Sequence, residues 1–207
     1  MKNLRGIRLY KDDLPEDVTF KKSVAIDTET MGLHHRRDRL CLVQLSEGDG
    51  VCHLVQISHP ARPAPHLVRM LLDRSIEKIF HYARFDLASL YLGVGALCEG
   101  PIYCTKIASR LARTYTDYHG LKTLCRELLG TDISKTEQSS DWGAETLTDS
   151  QKSYAASDVL YLHGLKARLD PLLIREGRHD LFQSICRFLP TRVILDISGF
   201  SEDIFSH

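Results

Sequence analysis

Short apolar runs separated by polar clusters fill the first half of the chain, and helical spacing fills the second. Val24-Ala25-Ile26-Asp27 passes from apolar into acidic residues and reads as a central strand leaving a core. Leu40 to Ser46 and Val51 to Ile57 flank the turn residues Glu47-Gly48-Asp49-Gly50, a hairpin signal. Together these runs predict three antiparallel strands. A turn of those residues would set Cys41 opposite Gln56 and Cys52 opposite Leu45. Pro60, Pro63 and Pro65 mark a linker, and Leu67, Val68, Met70, Leu71 and Leu72 an amphipathic helix. A fourth strand is expected from Lys78 to Tyr82, then a helix through Phe85 and Tyr91 up to Gly93, then a short fifth strand from Pro101 to Cys104. Helices are expected over roughly 105–114, 120–129, 148–170 and 171–188. The pattern is that of an α/β domain spanning 1–207, a mixed central sheet flanked by helices.

Composition narrows the picture only a little. Apolar residues make up 43% and charged residues 26%, as expected for a chain with a real core. No apolar run approaches the ~18 residues of a membrane span. Positive charge near Met1 has no apolar stretch behind it, so a cytoplasmic protein is the expectation. The six cysteines show neither a C-x-x-C pair nor zinc-ligand spacing and are expected as reduced, mostly buried thiols. With 27 basic and 27 acidic residues the net charge is zero, which speaks against coating long nucleic acid and hints at a short or end-held substrate.

Three acidic features carry the candidate chemistry. Asp27 and Glu29 stand two apart on the first strand, so their carboxylates share a face while Thr28 points away. Like charges held side by side repel unless a cation or a proton intervenes. Asp86 follows a strand and opens a helix, where it could also serve the helix dipole. Tyr154 and Asp158 are four apart on a late helix and project together. Each feature alone is as readily a solvated acid.

In combination they are not. D-x-E on a strand, F-D after a strand and Y-x-x-x-D on a late helix, in that order, resemble the DEDDy 3′–5′ exonucleases. The words Ile26-Asp27-Thr28-Glu29-Thr30, Ala83-Arg84-Phe85-Asp86 and Tyr154-Ala155-Ala156-Ser157-Asp158-Val159 match that pattern. The segment Lys135 to Trp142 is similar to one that ribonuclease D-like enzymes carry before the last motif. The resemblance covers about residues 20–170. It implies a ribonuclease H-like (DnaQ-like) fold and release of nucleoside 5′-monophosphates from a 3′ end. Hard oxygen ligands without His or Cys suit two Mg²⁺ or Mn²⁺ ions. Asp27 is expected to bridge them, with Glu29 and Asp158 at the first ion and Asp86 mainly at the second. Tyr154, with an ordinary pKa near ~10, is expected to orient the attacking water rather than act as a base.

Arg113-Thr114-Tyr115-Thr116-Asp117, Asp141-Trp142-Gly143-Ala144-Glu145-Thr146-Leu147 and the ending from Arg187 to Phe205 look like nanoRNase C, a small branch of the ribonuclease D-like family. That resemblance implies very short RNA, dinucleotides above all, and a ring-shaped homo-oligomer, an octamer. Candidate substrate contacts are Thr28, Leu33 as an apolar wedge, His81, and Lys135, Gln138 and Ser139 as a polar cap for a 5′-phosphate. Trp142 could stack a base or belong to the core. The cluster from His34 to Arg39 could steer phosphates or be a solvated loop. The apolar residues from 171 onward could dock on a neighbouring copy or fold back on their own domain. Rival readings are a general exonuclease on longer RNA or DNA ends, and a dead relative acting as a scaffold. The retained acids and tyrosine argue against the latter.

Overall fold

The computed structural model describes residues 5–133, 137, 139–200, 202 and 204–206. Its sheet has six strands in the order β1-β4-β3-β2-β5-β6: β1 (Gly6–Lys11), β2 (Ser23–Thr30), β3 (Leu40–Ser46), β4 (Val51–Gln56), β5 (Glu77–Phe80) and β6 (Ile102–Cys104). Only β3 runs against its neighbours, so the sheet is mixed, as expected. Seven helices complete the described chain: α1 (Pro65–Leu72), α2 (Ala83–Val94), α3 (Thr105–Ala112), α4 (Leu121–Leu124, continued by a π turn over Cys125–Leu129), α5 (Asp149–Leu160), α6 (Leu162–Arg175) and α7 (His179–Ile197).

The β2 run is central because Val24, Ala25 and Ile26 are fully buried. Covering a side chain such as Ile26 contributes about 1.5–3 kcal/mol. β2 lies against α5 and α2, the two helices that bring the remaining motifs to it. A register shift between Glu29 and Thr30 bends the strand where the acids leave the core. All six cysteines are buried and unpaired.

Several expectations need correction. β1 was not anticipated; it is an edge strand with a mixed pattern, held by parallel pairing from Gly6↔Val51 onward rather than by burial. The hairpin register differs by one residue, with Leu42 opposite Gln56 and Leu45 opposite His53. The turn draws in Val51, whose N–H donates to Asp49 (2.9 Å) and whose carbonyl accepts from Ser46 (2.7 Å). Gly48 and Gly50 supply the positive φ (77° and 95°) that this wider turn requires. The helix expected over 148–170 breaks at Tyr161, and Pro171 lies inside α6 instead of starting a helix.

α7 runs through Pro190 to Ile197. Phe182, Cys186, Leu189 and Val193 form one buried face, and packing outweighs the ~3 kcal/mol that an interior proline costs. Thus residues 171–197 fold back on their own domain. Arg84 grips Asp196 with two hydrogen bonds (2.5 and 2.6 Å), and Arg36 donates to the Ile197 carbonyl. The end of α7 is thereby tied to the first turn of α2 and to the loop after β2.

Candidate active site

β2 and β5 run parallel and deliver their carboxyl ends to one crevice, the usual ligand position in such sheets. Asp27 and Glu29 stand there on β2, Asp86 in the first turn of α2 after β5, and Tyr154 and Asp158 on α5. All five line one cavity of about 680 Å³. Carboxylate oxygens of Asp27, Glu29 and Asp158 lie within 4.8 Å of one another, which suits a shared cation. Asp86 stands outside that trio. Its Oδ1 accepts the Thr28 hydroxyl at 2.7 Å.

The starts of these elements fix the geometry. Thr148 and Gln151 form a capping box at the head of α5. The same Gln151 amide donates to Ser140 Oγ (2.8 Å) and the Asp141 carbonyl (3.1 Å), tying the preceding loop to the helix. α2 begins behind Tyr82, a non-glycine residue in the left-handed region (φ 74°). Tyr82 is 46% exposed at the cavity wall, with the Lys106 ammonium 4.2 Å from its ring centre. A bulky residue held there stores strain of roughly 1–3 kcal/mol, a feature that clusters at functional sites. We expect Tyr82→Gly to be more stable than Tyr82→Ala by about 1 kcal/mol, reversing the usual order, because only glycine occupies this region freely. Urea midpoints for the two variants measure this, and a more stable alanine variant would remove the strain argument.

Without a cation the acids hold their protons far above the ordinary carboxylate range. Burial is the largest cause for each. Asp27 is raised further by Asp86, Asp158 and Glu29, and Glu29, pushed to about 9, by Asp158 and Asp86. Asp86 rises to about 8 although the Thr28 hydroxyl opposes it. Asp158 rises to about 7 against the hydrogen bond it accepts from the Tyr154 phenol. Burial and the acids also raise Tyr154, so its phenol stays protonated at neutral pH. Hard, mutually repelling oxygens of this kind fit Mg²⁺ or Mn²⁺.

The other expected contacts divide. Leu33 is 81% exposed and lines the cavity, as do His81 and Ser139. Lys135 and Gln138 lie outside the described residues. Thr28 also lines it, but its hydroxyl is committed to Asp86. Trp142 also lines the cavity but is only 3% exposed, so little of its ring is open to a base. Its ring packs 6.0 Å from that of Tyr154 and backs the phenol. The His34–Arg39 cluster does not line this cavity. Arg39 donates to the carbonyls of Leu40, Ile57 and Gly143, and Arg37 pairs with Asp38. Sequence reasoning missed Lys106 and Lys122, two cations on the cavity wall. The position of Lys106 just past the end of a parallel strand was the available signal.

Residues 11–174 match the family described as 3′-5′ exonuclease. The chain belongs to that family. It is 34% identical to ribonuclease D of Granulibacter bethesdensis over 155 residues, 75% of this chain and 38% of that protein. The chain therefore spans well under half the length of that curated relative. NrnC of Brucella melitensis with bound Mg²⁺ superposes with a TM-score of 0.91 at 53% identity, covering 97% of this chain and 98% of that one. The same Brucella protein bound to pGG gives 0.92 at 54% over the same shares. The fold is thus that of the DnaQ-like exonucleases.

Proposed function

We propose that this chain is a 3′–5′ exoribonuclease that hydrolyses very short RNA, dinucleotides preferentially, to nucleoside 5′-monophosphates. The observation that carries the reading is the convergence of Asp27, Glu29, Asp86, Asp158 and Tyr154 on one cavity. Similarity to a nuclease captured with pGG supports the short substrate.

Asp27, Glu29 and Asp158 would hold one divalent ion, and Asp27 with Asp86 a second. Bound there, the ions would supply an acidified water and neutralise charge on the phosphoryl oxygens. The protein's own groups do the positioning. Thr28 fixes the Asp86 rotamer. The Tyr154 phenol, protonated and backed by Trp142, orients the incoming water for in-line attack. Lys106 and Lys122 attract the phosphate, and Leu33 presses against the bases. Water oxygen bonds to phosphorus, the bond from phosphorus to the leaving 3′-oxygen breaks, and a proton ends on that oxygen.

No helix among the described residues is long and apolar enough to cross a membrane; a cytoplasmic location goes with this reading. Exposed Phe188, Phe200, Ile204 and Phe205 support contact with further copies of the chain, in the ring-shaped homo-oligomer, an octamer, that the resemblance implies.

The test is hydrolysis of 5′-labelled RNAs of two, three, five and ten nucleotides with Mg²⁺ or Mn²⁺. The expected result is the highest kcat/KM for the dinucleotide. Equal or faster cutting of longer RNA, or of DNA ends, would move the function to a general exonuclease.

A further inference from the structure

Parallel pairing of β5 with β6 sets Phe80 opposite Cys104, and the next residues, His81 and Thr105, lie side by side. Thr105 is fully buried, and its hydroxyl donates to the Phe80 carbonyl at 3.1 Å. That bond uses its one proton. At 2.8 Å from His81 Nδ1, the Thr105 oxygen therefore accepts, and the imidazole proton resides on Nδ1. Nε2 is left with a lone pair. Burial and the neighbouring Lys106 ammonium hold the ring neutral, pushing it down to about 3. His81 lines the same cavity as the acids, and no described group hydrogen-bonds Nε2.

A neutral acceptor in this place selects its partner by chemistry. Phosphate oxygens are acceptors too and gain nothing from it. A hard divalent cation prefers the carboxylates. Base amino groups differ from one nucleotide to the next, whereas every ribonucleotide brings a donor on its sugar, and the 2′-hydroxyl separates RNA from DNA.

We propose that His81 Nε2 accepts a hydrogen bond from the 2′-hydroxyl of the 3′-terminal nucleotide, and so makes the site favour RNA over DNA. The proposal rests on the short-RNA reading and adds to it the residue that recognises the sugar.

The test compares kcat/KM for GpG with that for two analogues, one lacking the 2′-hydroxyl and one lacking the 3′-hydroxyl of the 3′ residue. Wild type, His81→Asn and His81→Gln are assayed together. Asparagine keeps an amide N–H where Nδ1 stands and leaves nothing at Nε2, whereas the longer glutamine brings an amide oxygen to that place. For wild type, removing the 2′-hydroxyl should lower kcat/KM roughly five- to tenfold, the effect of one uncharged hydrogen bond. In His81→Asn that ratio should fall close to one, whatever the absolute rates, and in His81→Gln it should partly return. An unchanged ratio in His81→Asn overturns the proposal, including the case where both substrates slow equally. A ratio that changes only with the 3′-hydroxyl makes His81 a reader of the chain end and overturns its role in RNA selection. Wild-type protein that leaves GpG intact would instead overturn the short-RNA reading itself.

Discussion

Asp27→Asn is expected to lower kcat by roughly 10³-fold while raising the melting temperature of the metal-free protein. Both effects have one cause. Burial raises the proton affinity of the Asp27 carboxylate most, and the neighbouring Asp86, Asp158 and Glu29 raise it further. A cation resolves that repulsion, and without one the ionised acids oppose folding. The sign follows from proton counting. Unfolded carboxyls ionise near ~4, whereas the folded site holds protons until about 7 at Asp158, about 8 at Asp86 and about 9 at Glu29. Between those limits the folded state binds more protons, so stability of the metal-free chain falls as pH rises from about 4 to about 9. Added Mg²⁺ or Mn²⁺ should therefore raise the melting temperature more at pH 8 than at pH 5, and Asp27→Asn should blunt that difference. Calorimetric melts at the two pH values, with and without Mn²⁺, measure both. A variant that keeps its activity, or is less stable than wild type without metal at pH 8, would contradict this account of the site.

The second large effect is expected from Tyr154→Phe, a fall in kcat of about 10²-fold with KM little changed. The phenol donates to Asp158 and is packed against Trp142, so removing one oxygen leaves the ring in place and takes away that hydrogen bond together with the one proposed to align water. Because its pKa is raised, the phenol cannot serve as a base near neutrality. The pH–rate profile of wild type should accordingly rise as the acids ionise and show no limb from a titrating phenol below about pH 10. Steady-state kinetics of the pair decides this. A loss confined to KM would make Tyr154 a substrate contact rather than a group that orients water.

The sequence made the acidic centre legible because strand and helix periodicities are strict. Two apart on β2 puts Asp27 and Glu29 together, and four apart on α5 puts Tyr154 and Asp158 together. Other features were set by tertiary context. β1 is held by edge pairing and has too little burial to show an apolar pattern. α7 passes Pro190 because its buried face outweighs the local penalty. Nothing in the residue string marks Tyr82 as left-handed, since a position of that kind ordinarily takes glycine or asparagine. Trp142 reads as a base platform or, more readily, as core, and its packing behind Tyr154 at the cavity wall shows only in the fold. Lys106 and Lys122 are ordinary helix lysines until the sheet brings their helices to the cavity.

The central claim is a site that holds two divalent ions around a scissile phosphate. Its most direct test is to count Mn²⁺ bound per chain by electron paramagnetic resonance of the free ion, in the presence of a dinucleotide with a non-hydrolysable phosphorothioate linkage. The account predicts two ions per chain in wild type and a loss of binding in Asp27→Asn. One ion per chain, or two that survive Asp27→Asn, would contradict it.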